Sequence, residues 1–350
     1  MSSKRQVNIG GVVIGGGAKI AIQSMTNTDT RRVEQTVSQI RALTEAGCEI
    51  VRCAVYDEAS ARALPAIKEA ISIPLVADVH FSHKLAVLAI ENGVDKIRIN
   101  PGNIGGQKEI LKVVSAARAH GIPIRVGANA GSLPKEIQEK YGAPNEDALV
   151  ESALQNIRIL ERAGFYDIVV SIKSSSAPVC IKAYRKISRL VDYPLHLGVT
   201  EAGTYKSAIV KSAIGLGALI VDGIGDTVRV SITGDPVQEV YAAADILKSS
   251  GIKLGGVEII SCPTCGRCTL DIEKIADSIE QFTIGMEKPM KVAVMGCAVN
   301  GPGEAREADL GIAGGKGEAL IFEHGNIIRK VDEFDILPEL KRMIMEFQEV

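Results

Sequence analysis

The chain has 350 residues, enough for one large domain and a small one. Hydrophobic residues make up 46% and charged residues 23%, which excludes bulk disorder. The balance of 40 basic against 42 acidic residues argues against a nucleic-acid coat or a polybasic membrane binder. Trp is absent and aromatics are 4%, which argues against base-stacking surfaces and aromatic carbohydrate platforms. No run reaches the ~18 apolar residues of a membrane span. The opening MSSKRQVNIGGVVIGGG has no apolar core long enough for a signal peptide. Seven cysteines, an odd count in a long chain, make a poor disulfide framework, and a cytoplasmic location is expected.

Short β-rich runs alternate with longer helical patterns up to about residue 250. The strands are expected at Ala18–Ser24, Ile50–Val55, Leu75–Asp78, Lys96–Ile99, Pro123–Val126, Ile168–Ile172, Leu195–Val199 and Thr227–Ser231. Between them lie helical patterns at Val33–Ala46, Glu58–Ala70, Lys84–Asn92, Gly106–His120, Asp147–Ala163, Pro178–Val191 and Tyr205–Val221, and Pro236–Ser249 follows the last strand. Eight strand–helix pairs in this length predict a TIM (β/α)8 barrel over residues 1–250. A doubly wound sheet shows the same alternation, but it usually carries a Gly-rich fingerprint after its first strand. Here Gln23-Ser24-Met25-Thr26-Asn27 stands in that place. Gly10–Gly17 reads as a β-hairpin.

Beyond a hinge at Gly251–Gly256 come CPTCGRC, a helix near Asp271–Gln281, a strand at Lys291–Met295, the loop GCAVNGPGE, a Gly-rich hairpin and a closing helix at Ile336–Phe347. These predict a small α+β domain over 251–350. Gly314-Gly315-Lys316-Gly317 is not a P-loop, because the first Gly of that motif would fall on Leu310.

In a TIM barrel the chemistry sits at the C-terminal ends of the strands. Those ends carry polar residues two apart, a spacing that keeps each pair on one strand face. They are Asp78 and His80, Arg98 and Asn100, Ser171 and Lys173, and Arg229 and Ser231, with Arg52, Arg125, Asn129, His196 and Glu201 beside them. Any one of these is ordinarily a solvated strand end. Five cations from five strands are not, because converging charges repel unless an anion lies among them. The pattern predicts a polyanion site, phosphate or diphosphate, with arginines as bidentate donors. Asp78 and Glu201 are the acids available for proton transfer.

Cys262-Pro-Thr-Cys265-Gly-Arg-Cys268 places thiols at two-residue gaps, and Cys297 follows in Gly296-Cys297-Ala-Val-Asn300-Gly-Pro-Gly-Glu304. Zinc and iron–sulfur centres both use this spacing. A zinc ribbon needs a second CxxC, and Cys297 stands alone, so the spacing favours a cluster. Counting assigns Cys262, Cys265, Cys268 and Cys297 as ligands. Glu304 is an alternative, weaker ligand that would leave an exchangeable position. Cys48, Cys53 and Cys180 lie in apolar contexts and read as core residues.

Along nearly its whole length the chain resembles the 4-hydroxy-3-methylbut-2-enyl diphosphate synthase family. The resemblance is carried by Gln23–Thr28, Ala77–Phe81, Arg98–Gly105, Gly127–Ser132, Pro194–Gly203, Gly225–Thr227, CPTCGR and GCAVNGPGE. It implies a TIM barrel with an iron–sulfur domain, working as a homodimer. It implies one [4Fe–4S] cluster per chain, held by Cys262, Cys265, Cys297 and Glu304, with Cys268 outside the family's ligand pattern. It further implies a cyclic diphosphate of methylerythritol held by Arg52, Arg98, Arg125, Asn129, Lys173, Arg229 and Ser231, with Asn129, Glu201 and Asn300 near the reacting carbons. The implied reaction opens the ring with two electrons from flavodoxin or ferredoxin and loses water, yielding a precursor for isoprenoids. Glu201 is the candidate proton donor. The competing reading is a non-catalytic phosphate-binding barrel with a structural zinc for partner docking.

Overall fold

The computed structural model describes residues 3–252, 255–268, 270–286, 288–297 and 308–347. The chain divides into two compact units, Met1–Ile252 and Lys253–Val350.

The first unit opens with a hairpin, β1 (Gln6–Ile9) and β2 (Val12–Gly15), paired antiparallel. Its turn residues Gly10 and Gly11 both have positive φ, 54° and 103°, which glycine alone adopts freely. Val7, Ile9 and Ile14 then pack against Ala21, Ile50, Val76 and Val169 at the starts of the barrel strands, so the hairpin plugs the barrel base.

The barrel strands are β3 (Ala21–Met25), β4 (Ile50–Ala54), β5 (Leu75–Asp78), β6 (Lys96–Ile99), β7 (Ile124–Asn129), β8 (Ile168–Lys173), β9 (His196–Leu197) and β10 (Thr227–Val228). They run parallel in the order β8-β7-β6-β5-β4-β3-β10-β9. The seam between β8 and β9 is spanned by a Val170–Leu195 bridge, with Val170 N donating to Pro194 O at 2.8 Å. The predicted barrel is therefore the observed fold. The last two strands are shorter than expected, although Arg229 N still reaches Leu197 O at 3.0 Å beyond the ladder.

The helices are α1 (Val33–Glu45), α2 (Glu58–Glu69), α3 (His83–Glu91), α4 (Pro101–Ile104), α5 (Gln107–His120), α6 (Lys135–Tyr141), α7 (Glu146–Arg162), α8 (Ala177–Ile187), α9 (Tyr205–Val221) and α10 (Pro236–Ser249). The short α4 and α6 were not expected from the sequence. Both sit in loops at the catalytic end, and α4 is started by Asn100 Oδ1, which accepts from Gly102 N at 3.2 Å. Cys48, Cys53 and Cys180 are buried, as expected of core residues, and burial raises all three thiols, Cys48 to about 12 and Cys53 to about 11.

The second unit is a five-stranded sheet of β11 (Val257–Ser261), β12 (Met290–Met295), β13 (Leu310–Gly314), β14 (Glu318–Glu323) and β15 (Asn326–Asp332), in that order. The first three strands are parallel and the last two join antiparallel. Helices α11 (Ile272–Thr283) and α12 (Ile336–Glu346) pack Ile275, Ile279, Leu340 and Ile344 on Val292, Val294 and Ile312. Strand β11 was not expected, because the glycines before it and the cysteines after it dominate that stretch.

Candidate active site

Strand alternation turns Arg52, Asp78, Arg98, Arg125 and Lys173 into the barrel, and all five are buried. Adjacent strands put Asp78 beside Arg98, Arg98 beside Arg125, and Asn129 beside Lys173. Asp78 accepts from Arg98 Nη1 at 3.1 Å and lies 3.5 Å from Arg52 Nε, with His80 at 3.6 Å. Burial alone would raise the Asp78 carboxyl. Arg52, then His80, Arg98 and Arg125, outweigh it and hold the acid well below the usual carboxylate range. Asp78 is thus a fixed anion, which corrects the expectation that it is available as an acid. Arg52 also donates to the Met25 thioether, from Nη2 at 2.9 Å.

Three buried groups in this interior were not picked out from the sequence. Lys96, two residues before Arg98 on the same face, is fully buried. Gln23 accepts from Lys96 Nζ at 3.4 Å. Glu239, on the apolar face of α10, accepts from Arg229 Nε at 3.2 Å and Nη2 at 3.1 Å, from Ser24 Oγ at 3.1 Å and from Ile232 N at 3.1 Å. The signals were present: a Lys-x-Arg spacing of two, and a carboxylate among Pro236, Val240 and Ala243 on a buried helix face.

Among the described residues five buried basic side chains, Arg52, Lys96, Arg98, Arg125 and Lys173, and the half-buried Arg229 therefore share this region with two carboxylates, Asp78 on β5 and Glu239 on α10. Buried charge of one sign needs a partner. Burial, and then the neighbouring arginines, push the Lys173 amine well below its ordinary value. Arg98 Nε, Arg125 Nε and Nη1, and Asn129 Oδ1 are buried with no hydrogen-bond partner. Three of the five predicted cations, Arg98, Arg125 and Lys173, thus converge on strand ends with spare donors or unpaired charge, whereas Arg52 is paired with Asp78 and Arg229 is anchored by Glu239. The arrangement suits a ligand bearing several negative oxygens. Glu201 is exposed in the loop after β9 and has φ 52°, a left-handed backbone that costs a non-glycine residue energy. Ser231 is half-buried just beyond β10.

In the second unit the parallel pairing of β11 and β12 brings the two cysteine motifs together. Ser261 is opposite Val294, so Cys262 and Gly296-Cys297 leave the carboxyl ends of adjacent strands. Gly296 N donates to Cys262 Sγ at 3.1 Å. A Cβ on Gly296 would lie 2.5 Å from Cys268 Sγ and 3.2 Å from Cys262 Sγ, so only glycine admits the backbone there. Cys265 is exposed, and hydrogen bonds from Arg267, whose guanidinium also feels Cys297, lower its thiol. Cys268 instead donates to Leu270 O at 3.2 Å. Among the described residues no three of these groups close on one point. The donor set, soft thiols around a glycine cradle with a cation beside them, nevertheless fits a thiolate-held iron centre. Asn300 and Glu304 lie outside the described residues.

Comparison with known proteins agrees with this division. The GcpE TIM-barrel domain model matches residues 4–244, and the GcpE protein C-terminal domain model matches residues 258–346. The chain belongs to the GcpE family. It is 58% identical over 340 residues to the 4-hydroxy-3-methylbut-2-en-1-yl diphosphate synthase (flavodoxin) of Caldanaerobacter subterraneus subsp. tengcongensis, covering 97% of this chain and 96% of that one. It is 57% identical to the protein of the same name from Clostridium perfringens, covering 97% of each. Among solved structures it is similar to 3-dehydroquinate dehydratase from Geobacillus kaustophilus (TM-score 0.52, 15% identity, 71% of this chain and 99% of that one). It is likewise similar to 7,8-dihydropteroate synthase from Vibrio fischeri (TM-score 0.51, 11% identity, 70% and 98%). At those identities the likeness is one of barrel fold alone.

Proposed function

We propose that the chain is an oxidoreductase that opens 2-C-methyl-D-erythritol 2,4-cyclodiphosphate with two electrons and loss of water, giving 4-hydroxy-3-methylbut-2-enyl diphosphate for isoprenoid synthesis. The observation that carries this is the barrel interior and its mouth, six basic groups with two carboxylates among the described residues, in a chain of this family. Arg52, Arg98, Arg125, Lys173 and Arg229 hold the diphosphate, with Asn129 and Ser231 beside it. Binding energy at the phosphates orients the carbons that react. Glu201, exposed at the mouth and unpaired with the buried cations, is the proton donor, and Asn300 lies near the reacting carbons.

Cys262, Cys265 and Cys297, with Glu304, hold one [4Fe–4S] cluster. That assignment is supported by the hydrogen bonds at the thiols. Cys262 accepts from Gly296 N and hydrogen bonds from Arg267 lower the Cys265 thiol, whereas Cys268 donates to the Leu270 carbonyl. The cluster, when bound, supplies single electrons and a Lewis-acidic iron for the leaving oxygen. Flavodoxin is the electron donor named with the relatives, and ferredoxin has the same redox role. Among the described residues no helix is long and apolar enough to cross a membrane, and a cytoplasmic location accords with this reading.

The test is turnover. Anaerobically purified protein is assayed for iron and sulfide, then given the cyclic diphosphate and reduced flavodoxin. Formation of the linear diphosphate is expected. Iron-loaded protein that binds the substrate but yields no product under reduction would overturn the assignment. Bound zinc without sulfide would favour the docking module.

A further inference from the structure

At the floor of the proposed diphosphate site lies a layer in which only Arg125 has been given a part in binding. Of the six cations of this region, Arg52 and Arg98 share Asp78, and Arg229 is held by Glu239. Lys96 and Arg125 are both 0% exposed and have no carboxylate at ion-pair distance among the described residues. Lys96 Nζ has one weak partner, Gln23 Oε1 at 3.4 Å. Around it Gln23 Nε2, Arg125 Nε and Nη1, and His196 Nε2 have none, while His196 Nδ1 is engaged with Thr227 Oγ1 at 2.7 Å. An arginine keeps its proton at any accessible pH, but a buried lysine gives its proton up readily. Among the described residues two lysines of this interior have no carboxylate partner; Lys173, 8% exposed at the end of β8, belongs to the mouth, so at the depth of Arg125 the uncompensated charge is relieved at the Lys96 amine.

We infer that Lys96 is an uncharged amine in the unliganded barrel and captures a proton when a diphosphate docks against Arg125. The floor of the site then adds one positive charge to the bound complex alone. Lys96 is a positioning residue, acting on the ligand through Arg125 and through the field of the barrel. The proton comes from solvent, and no bond of the substrate is involved. The inference rests on the diphosphate reading of the mouth.

The charged neighbours on every surrounding strand favour this behaviour. Gln23 on β3 is neutral. Arg52 on β4, Arg98 on Lys96's own strand, Arg125 on β7 and Arg229 beyond β10 repel an ammonium, and the Lys173 amine on β8, itself pushed down, offers it no anion. His196 on β9 is held neutral by burial and then by the same cations. Among the described residues Asp78 on β5 is the carboxylate near, and it is shared by two arginines. Burial, and then Arg125 and Arg52, drive the Lys96 amine well below its ordinary value. A bound polyanion reverses the sign of the local field and so restores the ammonium.

The experiment uses the full-length protein, purified anaerobically, with inorganic pyrophosphate as the probe. Calorimetric titration in two buffers of different ionisation heat counts the protons taken up on binding. Wild type should take up one more proton than Lys96→Met, a substitution of similar length without the charge. In the alkaline range wild-type affinity should fall with pH more steeply than that of the variant, by about tenfold per pH unit. Lys96→Arg, which cannot shed its proton, should lose the extra slope as well. Equal proton uptake in wild type and Lys96→Met would overturn the inference. So would loss of the uptake in His196→Asn instead. Should Lys96→Met not fold, the Cε resonances of 13C-labelled lysines in wild type and in Lys173→Met, which removes the other unpaired amine, decide: a neutral lysine that persists in Lys173→Met and becomes charged with pyrophosphate is expected, and none overturns it. Absence of pyrophosphate binding in wild type defeats the diphosphate reading itself, an outcome distinct from binding without the proton.

Discussion

Arg98 is held between Asp78 and His80, yet its Nε finds no partner. Its removal should be felt by the ligand more than by the fold, because an excess of like charge is a liability in the empty site. Arg98→Ala and Lys173→Ala should each weaken pyrophosphate binding by about 1.5–3 kcal/mol, the scale of a hydrogen bond to a charged group. Unchanged affinity in both variants would remove these residues from the site. Asp78 has the opposite role. Asp78→Asn leaves Arg52 and Arg98 without their anion and should cost stability by ~3–5 kcal/mol in urea denaturation. The same ion pairs set a pH dependence. The folded acid is depressed, so its stabilisation is complete above its unfolded value, about 3.9, and is lost as pH falls through the folded value. Acid unfolding of Asp78→Asn should accordingly show less of this loss than wild type. At the thiols, Cys262→Ser, Cys265→Ser and Cys297→Ser should each lose iron, sulfide and visible absorption, whereas Cys268→Ser keeps them. If Cys268→Ser bleaches and Glu304→Ala does not, the ligand set is four cysteines.

Hairpin β1–β2 closes the barrel at the end opposite the chemistry, and its contribution is packing. Ile14 is fully buried there against the first residues of the strands. Ile14→Ala should destabilise the protein by about 2–5 kcal/mol with little change in pyrophosphate affinity. A loss of the same size in both measurements would mean that the plug and the site are coupled. The barrel was legible in the sequence because its elements are periodic, and helices such as Tyr205–Val221 and Pro236–Ser249 fall where the pattern places them. The strand-end cations were legible because a spacing of two states their face. Strand β11 was less so, lying between glycines and a cysteine motif that read as loop. Helices α4 and α6 are too short for periodicity to mark, and α4 depends on one Asn cap. Lys96 and Glu239 were hidden for another reason: each is a charge inside an apolar pattern, and their partners lie on strands and helices far away in sequence. Glu239, for example, meets Ser24 from 215 positions away.

At the scale of the whole molecule, chain direction bears on assembly. All eight barrel strands point to the end that carries the cations, and each following helix returns to the base. Helix α10 is the last of these, so the chain leaves the barrel at the end remote from the proposed diphosphate site. Residues 250–256 then separate Ser249 from Val257, where the second unit's sheet begins. An extended chain spans at most about 3.3–3.6 Å per residue, and a barrel strand of five or six residues is itself about 17–20 Å long, with the loops of the mouth added. Ser250, Gly251 and Ile252 donate back to Ile246, Lys248 and Leu247 of α10, so the length of chain free to span between the units is shorter than this count. We propose that two chains pair head to tail about a twofold axis, an arrangement that asks for no such stretch, with the second unit of each serving the other barrel. On this proposal a complete site joins Arg98, Lys173 and Glu201 of one chain with Cys262, Cys265, Cys297 and Asn300 of its partner. Glu201→Ala and Cys297→Ser should each be inactive alone. Mixed in equal amounts and allowed to exchange, half of the dimers carry one of each chain, and each such dimer has one site intact on both sides. Activity should return to about a quarter of wild type. No recovery after verified exchange would mean that each site closes within a single chain.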